Sequence, residues 1–471
     1  ISVDRQELRR RDRLFVGIAG LCGLGAANHT FLAVWGLAFL VFALISDPGL
    51  ARRWKVLSAA GGAALAGLVP FYGFLLLRSR QEPRLDWGNP ETLPALAAVV
   101  TRRDFWPRRW VAAPADLGVV ARDFLSSFAA ELTIAGALLA LVGLAVGLRR
   151  DPRGPALLLA LVAFANLAAV AAHGSRSDLF LWHRYYIPAY LCGALLAGIG
   201  LAAALEAARR QTPVPSTGKG VVRALLRILG AFALGGAVLL VPLRFEDFDR
   251  SRYRIAEDYS RTLLAGLPPG AHLAASDDNI LFVLIYLQLV EGVRPDVDLI
   301  LQGVGGELPP LRFDPDRDPL FFTHHPNWRH PALEVVPVGL VYRVVRAGAP
   351  PPDLLPGVAE KTRLEGEDDP RVPKDYLTSN LIGELHFMRG VSLEARDPDH
   401  ALIEMAEAAR AAPDNDVLFY NLGLVYARMG LLERALAAFE RSREINPREI
   451  PGPSRARAED RIAEIRARIG R

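Results

Sequence analysis

Two short stretches of this 471-residue chain carry side chains suited to chemistry on an anion. The first, "RSRQEPRLDWGNPET", sets Arg78, Arg80, Asp86, Trp87 and Asn89 directly after an apolar run. The second, "LFLWHRYYIPAY", sets Arg184 and Tyr185 directly before one. A guanidinium offers a planar fork of donors that grips a phosphate through two bonds, and Trp and Tyr favour the headgroup level of a bilayer. Together these residues fit a site for an anionic lipid head at a membrane surface. Asn28 and His29 add polar groups to a third place, the middle of the apolar stretch from Leu14 to Ile45. The plain alternative is that all of them anchor helix ends. The same chemistry beside two separate apolar runs favours a site.

Other reactive side chains read as structural. His324 and His325 are adjacent, a poor spacing for a metal, and fit a loop; Asp277 and Asp278 fit a turn or a helix cap. His173 and His183 flank one loop and are candidates only for polar lining. Cys22 and Cys192 each lie inside an apolar run, where thiols are packing, and no disulfide framework or zinc spacing exists. No metal or cofactor is called for. The formal net charge is only +4 and the arginines cluster beside apolar runs, so they read as membrane flanks; no nucleic-acid partner is expected.

Those residues need elements to hold them. Hydrophobic content of 51% with 23% charged residues is too apolar for one soluble domain and too charged for a pure membrane bundle, so the chain must be divided. A helix crossing a bilayer needs about 20 mostly apolar residues, and 56–77, 129–148, 155–172, 185–205 and 221–242 qualify. The stretch Leu14–Ile45 reads as two short helices meeting at Asn28, His29 and Thr30, giving about six spans in all.

Lys and Arg favour cytoplasmic loops, which places "RQELRRRDR", "DPGLARRWK", "RRDPRG" and "EAARRQTPVPSTGKG" inside. The break at Asn28, the loops 78–123 and 173–184, and everything after Pro242 then face outward. The first of these loops holds five arginines between Arg78 and Arg103 against that charge rule. The chain opens on Ile and "SVDRQELRRRDR" without a signal-peptide pattern, and a lost upstream part is expected.

After Pro242 the composition is that of a soluble protein. Alternating helix and strand patterns from 244 to 350, including the strands "AHLAAS" and "VDLILQ" and the β-rich "ALEVVPVGLVYRVV", predict a small α/β domain on the outer face. Residues 351–376 read as a linker. From 377 to 471 an internal repeat appears: Phe419, Leu422, Gly423, Tyr426, Gly430, Ala435, Phe439 and Pro447 follow the roughly 34-residue tetratricopeptide hairpin. A weaker copy lies 34 residues earlier at Leu385, Met388, Ala401, Met405, Ala408 and Pro413, with Arg389 where the glycine belongs. Phe419, Tyr420 and Tyr426 are the expected partner-binding positions, since such repeats bind or pack and do no chemistry. The fold class is thus mainly α and membrane-embedded: a polytopic bundle over 1–243, the α/β domain, and helical repeats.

Several stretches in order, "GLGAANHT", "YGFLLLRSRQEPRLDWGNPETL", "RYYIPAY", "LPPGAHLAASDDNILFVLIYLQLVEGVRPDV" and "VGLVYRV", resemble the bacterial relatives of the eukaryotic transmembrane O-mannosyltransferase that modifies plexin-type receptors. The resemblance covers nearly the whole chain, and "YLQLVEGVRPDV" and "LDWGNPET" are its most specific parts. It implies a C-type glycosyltransferase fold that takes a sugar, mannose in the eukaryotic relative, from a polyprenyl-phosphate carrier. The sugar passes to a hydroxyl, such as a protein Ser or Thr, on the outer face of a bacterial inner membrane. The class uses a carboxylate in the first outer loop as general base; no counterpart is found here, and no catalytic residue is assigned. The donor-binding residues implied are Arg78, Arg80, Asp86, Trp87, Asn89, Arg184, Tyr185, Asn28 and His29. In the family's Gly-Asp-Asn-Asp-Thr run, Asp278 and Asn279 persist here but Ile280 and Leu281 replace the last two residues, which weakens a role for that loop. Against the enzyme stands a non-catalytic scaffold recruiting envelope partners through its repeats. A transporter is disfavoured because charges inside the spans are scarce.

Overall fold

The computed structural model describes residues 5–83, 85–103, 114–173, 183–210, 242–243, 245–301, 314–326, 330–356, 363–446 and 457–470. Packing divides the chain into two units, Ile1–Pro242 and Leu243–Arg471. Most described residues are helical, and a small mixed sheet lies in the second unit.

The first unit contains α1 (Arg5–Asn28), α2 (Phe31–Ser46), a 3-10 turn (Pro48–Arg52), α3 (Trp54–Ser79), α4 (Leu93–Val100), α5 (Pro114–Arg150), α6 (Pro155–His173) and α7 (His183–Arg210). Among the described residues, four of its helical segments are long and apolar enough to cross a membrane: Trp54–Ser79, Val120–Arg150, Pro155–Ala172 and Arg184–Glu206. Their outer faces show Phe74, Ile134, Leu141 and Phe164, each more than half exposed, a surface that lipid rather than water covers and that marks the unit as membrane-associated. The stretch from Leu14 to Ile45 is indeed two helices. α2 has 16 residues, shorter than a span, and the first turns of α1 are charged. The expected span 221–242 lies outside the described residues except for Pro242.

Small residues let backbones meet, which is how helices associate where lipid removes the hydrophobic drive. A Cβ on Gly23 of α1 would come within 2.0 Å of the Ala64 carbonyl oxygen of α3, and one on Gly143 of α5 within 1.8 Å of the Leu196 oxygen of α7. Opposite the His29 break, Arg53 pairs with Asp12 of α1 at 3.2 Å and with Asp47, fixing the α2–α3 turn onto α1. The helix expected to begin near Ala129 begins earlier, at Pro114, a residue suited to a first helical turn. It breaks at Thr133 (φ 64°, ψ 159°), whose hydroxyl accepts the Gly136 N–H at 3.2 Å and restarts the helix. The loop expected over 78–123 is therefore partly helical, at α4 and at the start of α5.

The second unit runs α8 (Phe245–Phe248), α9 (Ile255–Gly266), β1 (His272–Ala275), α10 (Asp278–Leu289), β2 (Asp298–Leu301), β3 (Leu320–Phe322), β4 (Leu333–Pro337) and β5 (Tyr342–Arg346). The sheet order is β2-β1-β3-β5-β4, with β1 parallel to β2 and β3 and the β3–β5 and β5–β4 pairs antiparallel. β3 falls in the segment expected as a plain loop around His324; a three-residue strand has too short a run to show periodicity. α11 (Tyr376–Leu393), α12 (Pro398–Ala411), α13 (Asp416–Arg428), α14 (Leu432–Ile445) and α15 (Ala458–Ile469) follow. α12 and α14 start and end 34 residues apart, and each packs on the helix before it. One core joins α9, α10, the sheet and α11–α13. In the expected linker 351–376, Leu364, Glu367 and Val372 are buried, so part of it belongs to that core.

Candidate functional site

The sequence-selected residues of the first unit fall into two groups. At the end of α3, Ser79 is 1% exposed and its hydroxyl donates to Asp86 Oδ2 at 2.6 Å, with Asn89 Oδ1 at 3.3 Å. This bond folds the loop back on its helix. Gly88 (φ 74°) and Asn89 (φ 41°) make the turn, and a Cβ on Gly88 would strike Val99 of α4 at 2.5 Å, so glycine is required twice over. Thr92 caps α4 by accepting the Ala95 N–H at 3.3 Å. Arg80 donates to the Glu91 carbonyl at 2.8 Å and Arg78 to Gln81 at 2.8 Å. Asp86 and Asn89 thus shape the loop, whereas Arg78, Arg80 and Trp87 stand exposed on it.

The second group gathers where α1 ends, α2 begins and α7 begins. Phe31 donates its backbone N–H to His29 Nδ1 at 3.3 Å, and the two rings meet edge-on at 5.0 Å. Phe31 lies 6.1 Å from the Tyr185 ring, and the Arg184 guanidinium sits 5.3 Å from that ring's centroid. Arg102, one residue past the end-cap of α4, brings Nη1 to 3.5 Å from His29 Nε2. Burial, and then the nearby Arg102 charge, push the His29 imidazole below its usual value and keep it neutral. Asn28 is exposed at the same break. Packing of α2 on α6, and of α6 on α7, brings His29 and Tyr185 together, although 156 positions separate them.

Residues that sequence reasoning passed over support this group from below. Asn166 of α6, 1% exposed, donates to the Tyr185 carbonyl at 2.8 Å. Tyr190 donates to Ser127 at 2.8 Å, Ser127 donates to the Asp123 carbonyl at 2.8 Å, and fully buried Tyr186 lies beside Asp123. Asn166, the one polar side chain inside the apolar run of α6, marks a polar contact in the bundle, although the sequence does not say with what. His173 ends α6 and His183 begins α7; the loop 174–182 between them lies outside the described residues.

Chemically, Arg184 has no carboxylate partner among the described residues, lies against an aromatic face and stands at a candidate span's end. That arrangement can hold an anion beside a ring, with Arg102 and neutral His29 nearby.

In the second unit the most specific motif of the resemblance is structural. In "YLQLVEGVRPDV", Gln288 donates to the carbonyls of Val297 (2.7 Å) and Arg294 (3.2 Å). Arg294 in turn donates to Leu264 (2.6 Å), Leu267 (2.9 Å) and Pro268 (3.1 Å), tying the end of α9 to the turn before β2. Its bond to Asp296 holds that carboxyl far below the carboxylate range. Asp277 caps α10 by accepting the Asn279 N–H at 2.8 Å, in line with a capping reading. Tyr420 is 3% exposed and packs edge-on against Phe439, and Phe419 and Tyr426 are partly buried against the cores. Among the described residues no three His, Cys, Asp or Glu converge to hold a metal ion. The chain matches no family model, no curated protein and no solved structure.

Proposed function

We propose that the chain is a membrane glycosyltransferase, or the C-terminal part of one, of the C-type fold. It transfers a sugar, mannose by resemblance, from polyprenyl phosphate to a hydroxyl such as a protein Ser or Thr. The observation that carries this reading is the group of Arg184, Tyr185, Phe31, His29 and Arg102 at the end of a membrane-associated bundle. As the acceptor oxygen attacks C1 of the sugar, the bond from C1 to the phosphate oxygen breaks, negative charge grows on the leaving phosphate, and the acceptor's hydroxyl proton is lost to the released phosphate or to solvent. Arg184 and Arg102 stabilise that charge, and a site shielded from bulk water strengthens the effect. The Tyr185 ring covers the apolar face of the sugar. The arginine-rich loop at Arg78 and Arg80, folded back on its helix by the Ser79–Asp86 bond, draws the anionic head to the surface.

The resemblance puts this chemistry on the outer face of a bacterial inner membrane. The 34-residue offset of the two C-terminal hairpins supports tetratricopeptide repeats. It also favours the second reading, a scaffold that recruits envelope partners and transfers nothing. Proteoliposomes loaded with radiolabelled polyprenyl-phosphate mannose and a Ser/Thr-rich peptide separate the two: label in the peptide, lost in Arg184→Ala, supports the transferase. Donor that neither binds nor reacts leaves the scaffold.

A further inference from the structure

α1 packs along both α2 and α3, and a groove of about 470 Å³ lined by all three helices runs lengthwise beside that contact. From Leu57 to Leu68 on α3 it covers about 16 Å of helix, and no charged side chain lines it. Its width reflects what the helices lack there: a Cβ added to Gly61 would meet nothing within 4 Å. One end, at Ala26 and Leu68, lies towards the His29 break. The other, at Phe15 and Leu57, lies towards the start of α1, the end of α2 and the start of α3.

Cations gather at that second end. The Asp12–Arg53 bond at 3.2 Å joins α1 to the start of α3, and Arg53 also pairs with Asp47, so both carboxylates there are engaged. Arg13 and Arg52, the chain neighbours of that bond, are exposed, as is Lys55, and none of the three has a carboxylate partner among the described residues. Arg13 lies two residues before Phe15 and Lys55 two residues before Leu57, which puts these charges at the mouth of the groove. Lys55 Nζ stands 5.7 Å from the ring of Trp54, a side chain 66% exposed and of the type that favours the headgroup level.

We propose that the groove holds an anionic glycerophospholipid of the surrounding membrane, its phosphate against Arg13, Arg52 and Lys55 and one acyl chain along α1 between α2 and α3. A hydrocarbon tail is common to all membrane lipids, so the groove alone selects none. The three cations at its mouth favour an anionic head over a zwitterionic one, and basic pockets between membrane helices are suited to such heads. The occupant is distinct from the sugar donor. His29, Arg102 and Arg184 gather at the opposite ends of α1 and α2, a groove's length from Arg13 and Lys55, so the proposal is independent of the transferase reading. A lipid bound only when the three helices are assembled stabilises that assembly by mass action.

Native mass spectrometry of the delipidated full chain in detergent tests this by counting bound lipid after addition of dioleoyl phosphatidylglycerol or dioleoyl phosphatidylcholine, with glycerol 3-phosphate as a head without tails. The expected result is saturable binding of phosphatidylglycerol, roughly tenfold tighter than phosphatidylcholine, and none of the free phosphate. Replacing Arg13, Arg52 and Lys55 together by Gln removes the preference while leaving the Asp12–Arg53 bond in place. Gly61→Leu puts a side chain into the open space and replaces a poor helix former, so it is expected to melt no lower than the parent and to weaken both lipids roughly tenfold. Equal binding of the two lipids by the parent, or unchanged binding in both variants, overturns the proposal. Short-chain polyprenyl phosphate that binds more tightly than phosphatidylglycerol and is lost in the same variants gives the groove to the donor and overturns it too, as does a lipid-free dimer that Gly61→Leu breaks.

Discussion

His386 is the residue with the largest consequences for stability. It is 4% exposed, with Nδ1 2.6 Å from Glu404 and Nε2 2.8 Å from Glu367, two carboxylates that are themselves buried. Burial opposes its charge, but the two carboxylates outweigh burial and lift the imidazole from 6.5 to about 9. The same bonds hold Glu367 and Glu404 below their usual value against burial. The sign follows from linkage. The imidazolium's contribution is complete below pH 6.5 and is lost as pH rises through about 9. That of the two glutamates is present above 4.5 and fades as pH falls through their lowered values. Hydrogen exchange in α11 is therefore expected to quicken above pH 9 and again in acid. His386→Ala removes the one partner that both buried carboxylates share and should lower the local opening free energy by about 3–5 kcal/mol, read from the same exchange. Arg389 occupies the place where the second repeat has Gly423; it is 2% exposed and senses Glu404 and Glu367. The sequence showed Arg389 only as a departure from the repeat. That its charge joins a buried network depends on Glu367, a residue from a stretch that read as linker.

Elements with a strong period were legible and those made by single residues were not. The break at His29 was readable because three polar residues interrupt an apolar run. The break at Thr133 was not, because Thr is common in apolar helices and its φ of 64° leaves no mark in composition. In the repeats, Gly423 permits close approach: a Cβ there would come within 2.7 Å of the Phe439 ring. Gly423→Ala should accordingly destabilise the α13–α14 hairpin by about 1–3 kcal/mol, checked by thermal melting with Gly430→Ala as a strain-only comparison. In the earlier copy the close approach shifts by one residue to Gly390, where a Cβ would meet Met405 at 2.9 Å, which is how Arg389 is accommodated. For the site, Arg184, Tyr185 and His29 were legible as types beside apolar runs. Asn166 and Ser127, which hold the start of α7, were not, since one polar residue in a span carries no information on what it faces.

At the scale of the whole molecule, composition was enough to separate a membrane-associated unit from a second unit with its own sheet and core. The side of the membrane rests on loop charge alone and calls for a direct check. A cysteine at the exposed Trp87 position, in a chain with Cys22 and Cys192 replaced, should react with an impermeant maleimide from the outer side only. Labelling from the cytoplasmic side alone would reverse the orientation. The central claim is that the group around Arg184 holds a lipid-linked phosphate. Its most direct measurement is the affinity of the purified full chain for a short-chain polyprenyl phosphate, compared with Arg184→Ala and Arg102→Ala. A charge-assisted bond to phosphate contributes about 1.5–3 kcal/mol, so each variant is predicted to bind roughly 10- to 150-fold more weakly. Equal affinity in the parent and both variants would contradict the account.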